Sequence, residues 1–348
     1  MVNHTQIHLG SSILSSLGLM FSDKTNPLSP LRPSRGVQAS MGEFQAAGLA
    51  NEQGKLKTEI RPWLQVLVKP ASLVDLRISA GSYFQQFSLY YGENGNQPVL
   101  LMNRGDGLLL EQPADTESVL DGLVQFSGDS LLASFNFEAS LPYGPALALA
   151  VLVDLHRREV ARAFADLTPA HRQPANATEM AYWLSTCPDS PQWLTALVRT
   201  PEDRAPDVNQ LQAYLDALVA AGYCQPSGGG YELAASTRPI GNRLVMLDTF
   251  YTLDIARLDP YGRVEIASLS AVQAGVNDLL QIEFQGDLVR FVSLSPMAFG
   301  DQVRHFLENG GSGLPDLQDA DPLEPVMGSN STRGNRRPAY NPQATLVQ

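Results

Sequence analysis

Phe44–Ile60 reads FQAAGLANEQGKLKTEI, and residues 218–233 read LVAAGYCQPSGGGYEL. Each stretch ends a helix on Ala-Ala-Gly, follows with an apolar or aromatic residue, makes a polar glycine-bearing turn and enters an alternating run. Gly48 and Gly222 stand where a helix closes on a residue of positive φ, which glycine adopts without a Cβ penalty. A unit that starts twice predicts that its sequel recurs too, and further anchors fall in the same order. Gly54 matches Gly230, Gly105-Asp106 matches Gly286-Asp287, and the apolar helix face Val119 to Phe126 matches Val303 to Leu307. The offset grows from 174 (222 − 48) to 181 (286 − 105), as small loop insertions would produce. The chain therefore reads as an internal duplication.

Working outward, residues 1–36 form an N-terminal segment with a short helix at Ile13–Met20. The first α+β half covers 37–168, a linker 169–177, the second half 178–310 and a tail 311–348. In the first half Val37, Met41, Phe44 and Ala47 recur at helical spacing, Leu56–Ile60 reads as a strand, and Pro62–Leu67 as a helical turn or two. Val74/Leu76/Ile78 and Phe87/Leu89/Tyr91 alternate with polar residues, as half-buried strands do. Val99–Met102 and Leu108–Glu111 continue the meander. Asp115 caps a helix through Val119, Leu120, Leu123 and Phe126. Ser130–Phe137 supports neither periodicity. Pro145–Leu167 carries an apolar stripe with Arg157, Arg158, Glu159 and Arg162 toward water. In the second half Met180–Leu197 is helical with a break at Pro188 and Pro191. Leu211–Val219 forms another amphipathic helix, and Ile240–Leu247 mirrors the Trp63 segment. Thr249–Leu258, Arg263–Leu269, Asp278–Phe284 and Leu288–Leu294 are strands, closed by a helix through Val303, Phe306 and Leu307.

Each half thus has helices, a small hairpin, an antiparallel meander and a closing helix. The fold class is α+β, internally duplicated, with an antiparallel sheet flanked by helices and winged-helix-like segments. The tail differs. Leu314–Met327 is rich in Asp, Glu and Pro, and Gly328–Gln348 has almost no aliphatic residue before Leu346, so it buries too little apolar area to offset the entropy of ordering it.

Composition narrows the function. With 36 acidic against 24 basic residues and a net charge of −12, the chain lacks the basic surface that sequence-independent nucleic-acid or anionic-membrane binding requires. A winged-helix reader would present Arg, Lys, Asn or Gln to the major groove. The helix before the second hairpin offers Asn209, Gln210 and Gln212 but no basic residue, and the first offers only Glu43 and Gln45. No apolar run reaches the roughly 20 residues of a membrane span, and the N-terminus lacks the basic start of a signal peptide. Two cysteines, Cys187 and Cys224, make neither a disulfide framework nor a zinc set, and suit a reducing compartment. The five histidines, His4, His8, His156, His171 and His305, show no recurring ligand spacing. Gly228–Gly230 and Gly310–Gly313 lack the Gly-Lys-Ser/Thr of a phosphate loop, and no Gly-x-Ser-x-Gly elbow occurs. The expectation is no catalytic residue, no metal and no cofactor.

The order FQAAGL (Phe44–Leu49), RPWLQVLVKPASLVDLRISAG (Arg61–Gly81), VLLMNRGDGLLLE (Val99–Glu111) and SVLDGLVQF (Ser118–Phe126) resembles the EspG-type chaperones of type VII (ESX) secretion systems. The resemblance implies a cytoplasmic, non-enzymatic adaptor that holds a helical PPE- or WXG-type secretion substrate soluble. By position it implies partner contacts at Tyr90, Tyr91, Glu93 and Asn94, and at Val303, Phe306 and Leu307. The N-terminal 36 residues and the tail depart from the family's pattern. Two other readings stay open: a structural subunit of a larger assembly, homo-oligomers included, and a winged-helix regulator.

Overall fold

A computed structural model describes residues 5–31, 38–93, 98–104, 107–169, 174–200 and 206–310. The anchor Gly105-Asp106, His4, His171, Asn94 and the tail lie outside the described residues. The first half opens with strand β1 (Thr5–Gly10), which runs straight into helix α1 (Ser11–Met20). Helix α2 (Met41–Ala46) begins at a capping box. Ser40 Oγ accepts from the Glu43 N–H while the Glu43 carboxylate accepts from the Ser40 N–H, and this holds the Glu43 carboxyl below its usual range. The helix closes on Gly48 at φ +73°, with the Leu49 N–H donating to the Phe44 carbonyl at 2.8 Å.

That cap is repeated. Helix α8 (Val208–Ala220) closes on Gly222 at φ +78°, and the Tyr223 N–H donates to the Leu218 carbonyl at 2.9 Å. In both places the chain then doubles back. After Gly48 the return is a single bridge between Ala50 and Leu56; after Gly222 it is a hairpin of β7 (Cys224–Ser227) and β8 (Gly230–Leu233). Gly230 is required for a different reason, a close approach of backbone. A Cβ there would sit 2.9 Å from the Ala175 carbonyl oxygen, which belongs to the strand-like segment bridged to Tyr231. The expected strand Leu56–Ile60 is instead one bridge followed by a 3₁₀ turn at Thr58–Ile60, because Pro62 in the first turn of α3 (Arg61–Val68) starts a helix there.

The remaining strands are β2 (Ser72–Ala80), β3 (Tyr83–Tyr91), β4 (Val99–Arg104), β5 (Gly107–Gln112), β6 (Glu138–Pro142), β9 (Thr249–Leu258), β10 (Val264–Ala274), β11 (Asp278–Gln285) and β12 (Leu288–Leu294). All except the β7–β8 hairpin join one ten-stranded antiparallel sheet in the order β1-β5-β4-β3-β2-β9-β10-β11-β12-β6. The order reads alike from either edge to the middle. Each edge strand leads into a helix, and four meandering strands carry each half to the centre. Sequence reasoning missed β1 and β6, because six- and five-residue edge strands leave little periodicity.

Side-chain alternation sends the sheet's apolar residues to opposite faces. One face carries two helical lobes. Helices α1 to α3 cover β1, β5, β4 and the start of β2. At the other end, α5 (Tyr143–Ala165), α6 (Ala177–Thr186), α7 (Leu194–Val198), α8 and α9 (Arg238–Arg243) cover β10, β11 and β12. The opposite face is covered by α4 (Thr116–Ser127) and α10 (Pro296–Glu308), which pack on the middle strands through Leu123, Phe299 and Val303. The fold is thus α+β with a large antiparallel sheet flanked by helices.

Between the two lobes, where β2 meets β9, the sheet is polar. Asp75 pairs with Asp254 across the seam, 179 positions apart (254 − 75). Ser88 on β3 donates to Asp75 at 2.5 Å, and Ser268 on β10 donates to Asp254 at 2.6 Å, so each carboxylate has a serine in the matching place. One guanidinium serves both. Arg77 donates through Nε to Asp75 at 2.8 Å and through Nη2 to Asp254. The residue 179 positions on from Arg77 is Ala256. Gln86 adds a bond to Asp75 at 2.8 Å.

A second buried ion pair ties the second lobe together. Asp154 and Arg157, one turn apart on α5, are 0% and 3% exposed and bonded at 2.6 Å. Asp154 also accepts from the N–H groups of Leu194 and Thr195 and from the Thr195 hydroxyl. Arg157 reaches the Gln192 carbonyl and lies 5.6 Å from the Trp193 ring. Arg157 therefore points inward, against the expectation that it faces water with its neighbours. Burial raises the Asp154 carboxyl and lowers the Arg157 guanidinium, and the two hold each other charged. The break expected at Pro188 and Pro191 separates α6 from α7, which lets Leu194 and Thr195 offer their free helix-start N–H groups to Asp154.

These arrangements fix measurable costs. Asp154→Ala leaves Arg157 buried without its counter-ion, so denaturant unfolding should report a loss of about 3–5 kcal/mol, against under about 0.5 for the exposed Arg263→Ala. Arg77→Ala strips the seam of its only cation among the described bonds. Because Arg77 is partly exposed, the expected loss is smaller, about 2–3 kcal/mol, and an unchanged midpoint would show that the seam does not depend on it. Burial pushes the Cys187 and Cys224 thiols up to about 11. Above the ordinary value near 9 the unfolded thiols ionise while the folded ones keep their protons. Stability should therefore fall between pH 9 and 11, by up to about 1.4 kcal/mol per pH unit per thiol, and a Cys187→Ala/Cys224→Ala variant should flatten that slope.

Candidate partner-binding surface

The segment that resisted a periodic reading, Ser130–Phe137, is irregular and sits at one end of the sheet. Helix α4 delivers the chain to it. Asp115 caps the start, accepting from the Glu117 N–H at 3.1 Å, and Val119, Leu120 and Leu123 face the sheet. The helix stops at Gly128, φ +79°. The following loop is pinned at three points. Met297 at the start of α10 donates its N–H to the Ser130 carbonyl at 3.2 Å. The Ser134 N–H donates to the Asn277 carbonyl at 3.0 Å, in the β10–β11 turn. The Phe137 N–H donates to Ser293 Oγ at 2.8 Å. Gln273 holds the other side, its Nε2 donating to the carbonyls of Ser127 and Val276.

Pinned backbone here presents apolar side chains to solvent. Leu131 is 74% exposed, Leu132 69% and Val276 64%. Val124 on α4 is also exposed. Tyr83, at the start of β3, stacks on Phe126 with ring centroids 5.0 Å apart and remains half exposed. Single exposed leucines need no explanation, but a group drawn from α4, its following loop, the β2–β3 turn and the β10–β11 turn forms a patch. The segments that build it, residues 78–86, 118–136, 244–252, 271–280 and 295–301, contain no Lys or Arg. They carry Asp121, Asp129, Asp248, Asp278 and Asp301, so the patch is apolar with an acidic surround.

The residues expected from sequence to meet a partner lie at the opposite end of β3 and α10, and the structure brings several together. The Tyr91 hydroxyl donates to the Leu307 carbonyl at 2.6 Å, and burial raises the Tyr91 phenol above its usual range. Ser72 Oγ donates to the Gly310 carbonyl beside them. Val303, Phe306 and Leu307 are buried and hold α10 on the sheet, whereas Tyr90 is buried on the other face with the cluster under α1 to α3; Glu93 is exposed. Sequence reasoning passed over Tyr83, Leu131, Leu132 and Val276. The available signal was an adjacent leucine pair in Gly128-Asp129-Ser130-Leu131-Leu132-Ala133-Ser134, apolar residues in a stretch whose other members are turn-formers.

His156 pairs through Nε2 with Asn242 Oδ1 at 2.8 Å, and His305 bonds Asn309, so both are held by local structure. Among the described residues no three His, Cys, Asp or Glu side chains gather to hold a metal ion, and no helix is long and apolar enough to cross a membrane.

No family model and no curated protein matches the chain. Among solved structures the chain is similar to the Mycobacterium tuberculosis type VII secretion system chaperone EspG5, determined in complex with a PE25-PPE41 dimer. The identity is 12% and the TM-score 0.48, over 87% of this chain and 96% of that one, a likeness of layout and not membership of its family.

Proposed function

We propose that this protein is a non-catalytic, protein-binding adaptor or chaperone that shields an apolar segment of a helical partner in the cytoplasm. The observation that carries the reading is the exposed group Tyr83, Leu131, Leu132 and Val276, whose backbone is held by hydrogen bonds from three other elements. Apolar side chains on a pinned backbone lose little freedom when covered, so burying them on a partner is favourable by about 25 cal/mol per Å² of apolar area without a large ordering cost. Glu93 and the end of α10, which the sequence resemblance points to, belong to the same proposal as a second contact at the far end of the sheet. The helical nature of the partner comes from that resemblance, which aligns this layout with chaperones of secreted helical proteins.

The test is recovery of the tagged full chain from native lysate of its source, with mass spectrometry of what accompanies it. A helical partner of PPE or WXG type should co-purify in stoichiometric amount. Leu131→Ser/Leu132→Ser should reduce its recovery by at least about tenfold while the thermal midpoint stays within about 2 °C, since neither side chain is buried. Recovery of the chain as a lone monomer overturns the reading.

A further inference from the structure

The described segments that supply the apolar surface, residues 78–86, 118–136 and 271–280, carry Asp121, Asp129 and Asp278 and no Lys or Arg, so whatever covers it should present apolar groups beside positive charge. One segment of this chain has that chemistry. Residues 314–327 contain Asp316, Asp319, Asp321 and Glu324 and no base, whereas residues 328–348 contain Arg333, Arg336 and Arg337 and no acid. The net charge of −12 thus divides into −15 for residues 1–327 and +3 for the last stretch. Tyr340, Leu346 and Val347 follow the arginines.

Reach agrees with charge. Helix α10 begins beside the patch, where the Met297 N–H meets Ser130, and ends at the far end of β2 and β3, where Ser72 bonds Gly310. Its 13 residues separate the two points by roughly 20 Å. From Gly310 to Arg333 there are 23 residues (333 − 310), rich in Gly, Ser, Asp and Pro. A flexible chain of that length would have an r.m.s. span of about 26 Å, and local concentration is highest when that span matches the distance to be bridged. By chain length alone, acidic residues 316–324 come before the point at which the patch is within reach and the arginines come after it.

We propose that residues 333–347 of the chain's own C-terminal segment dock on the apolar surface formed by Tyr83, Leu131, Leu132 and Val276, with the three arginines against Asp121, Asp129 and Asp278. The segment then covers the surface until a partner displaces it. This rests on the surface proposed above as a docking site, but not on the identity of the partner, and the experiment needs none. The purified full chain carries a photo-reactive p-benzoylphenylalanine in place of Leu132, and adducts are mapped by peptide mass spectrometry. Intramolecular adducts within residues 333–347 are expected. They should fall about fivefold or more in Arg333→Glu/Arg336→Glu/Arg337→Glu, and again in 1 M salt, where surface charges are screened within about 3 Å. No residue of the described core is altered by these substitutions, so loss of folding does not enter. Adducts elsewhere in the chain, adducts joining two copies, or tail adducts indifferent to charge and salt each overturn the proposal. Failure of tail docking leaves partner recovery from lysate unaffected, and failure of partner recovery leaves the adducts unaffected, so the two readings fall separately.

Discussion

The pairing of β2 with β9 is the constraint on which the rest of the architecture depends. It is the sheet contact that makes two five-strand layers into one ten-strand layer, and its nine register pairs run from Ser72–Arg257 to Ala80–Thr249. A polar row at its middle would ordinarily weaken such a seam, since a carboxylate removed from water costs several kcal/mol unless it is paired. Here every carboxylate oxygen at the seam has a donor. Asp75 takes Ser88, Gln86 and Arg77, and Asp254 takes Ser268 and Arg77. A slip of the register by one residue would turn Asp75 and Arg77 into the apolar layer under α4 and α10 and bring Val74 and Leu76 out between the lobes. The row therefore fixes the alignment of the two halves, and through it the positions of α4 and α10, which bridge the seam on the other face.

The two lobes use the same devices with different emphasis. The first is compact and helix-poor, closed by a single bridge after Gly48. The second expands the same order into a five-helix lobe whose centre is Asp154 with Arg157. Between α4 and β6 the loop after Gly128 crosses the end of the sheet and is held by backbone bonds that leave Leu131 and Leu132 outside.

Much of this was legible in sequence, for identifiable reasons. The glycines at 48 and 222 announced their caps because positive φ leaves little choice of residue. The meanders announced themselves by alternation, as did Asp115 by capping chemistry. Edge strands β1 and β6 were not legible, because a short strand paired on one side needs no pattern of its own. Arg157 was misread because a surface-like run, His156-Arg157-Arg158-Glu159, hides one member whose partner sits a turn earlier and whose other ligands come from residues 192 and 245. The candidate surface was illegible for the opposite reason. Local sequence reports what a residue prefers, whereas Leu131 and Leu132 are exposed by tertiary pinning from Asn277, Ser293 and Met297, which lie some 150 positions away.

The order of synthesis gives the polar seam a further consequence. Strands β2 to β5 are all made once residue 112 emerges, but the partner of β2 is complete only at residue 258, 146 residues later. At the usual 5–20 residues per second that leaves one edge of a finished meander open for roughly 7–30 s. An open edge recruits any other strand, and inward-pointing charges are a device that discourages this. Asp75 and Arg77 occupy that edge. Before β9 arrives they remain hydrated and make β2 a poor template for a stray apolar strand, and when β9 arrives it brings Asp254, the carboxylate that completes the arginine's pairing. The residues that hold the finished sheet together are also those that guard its unfinished edge.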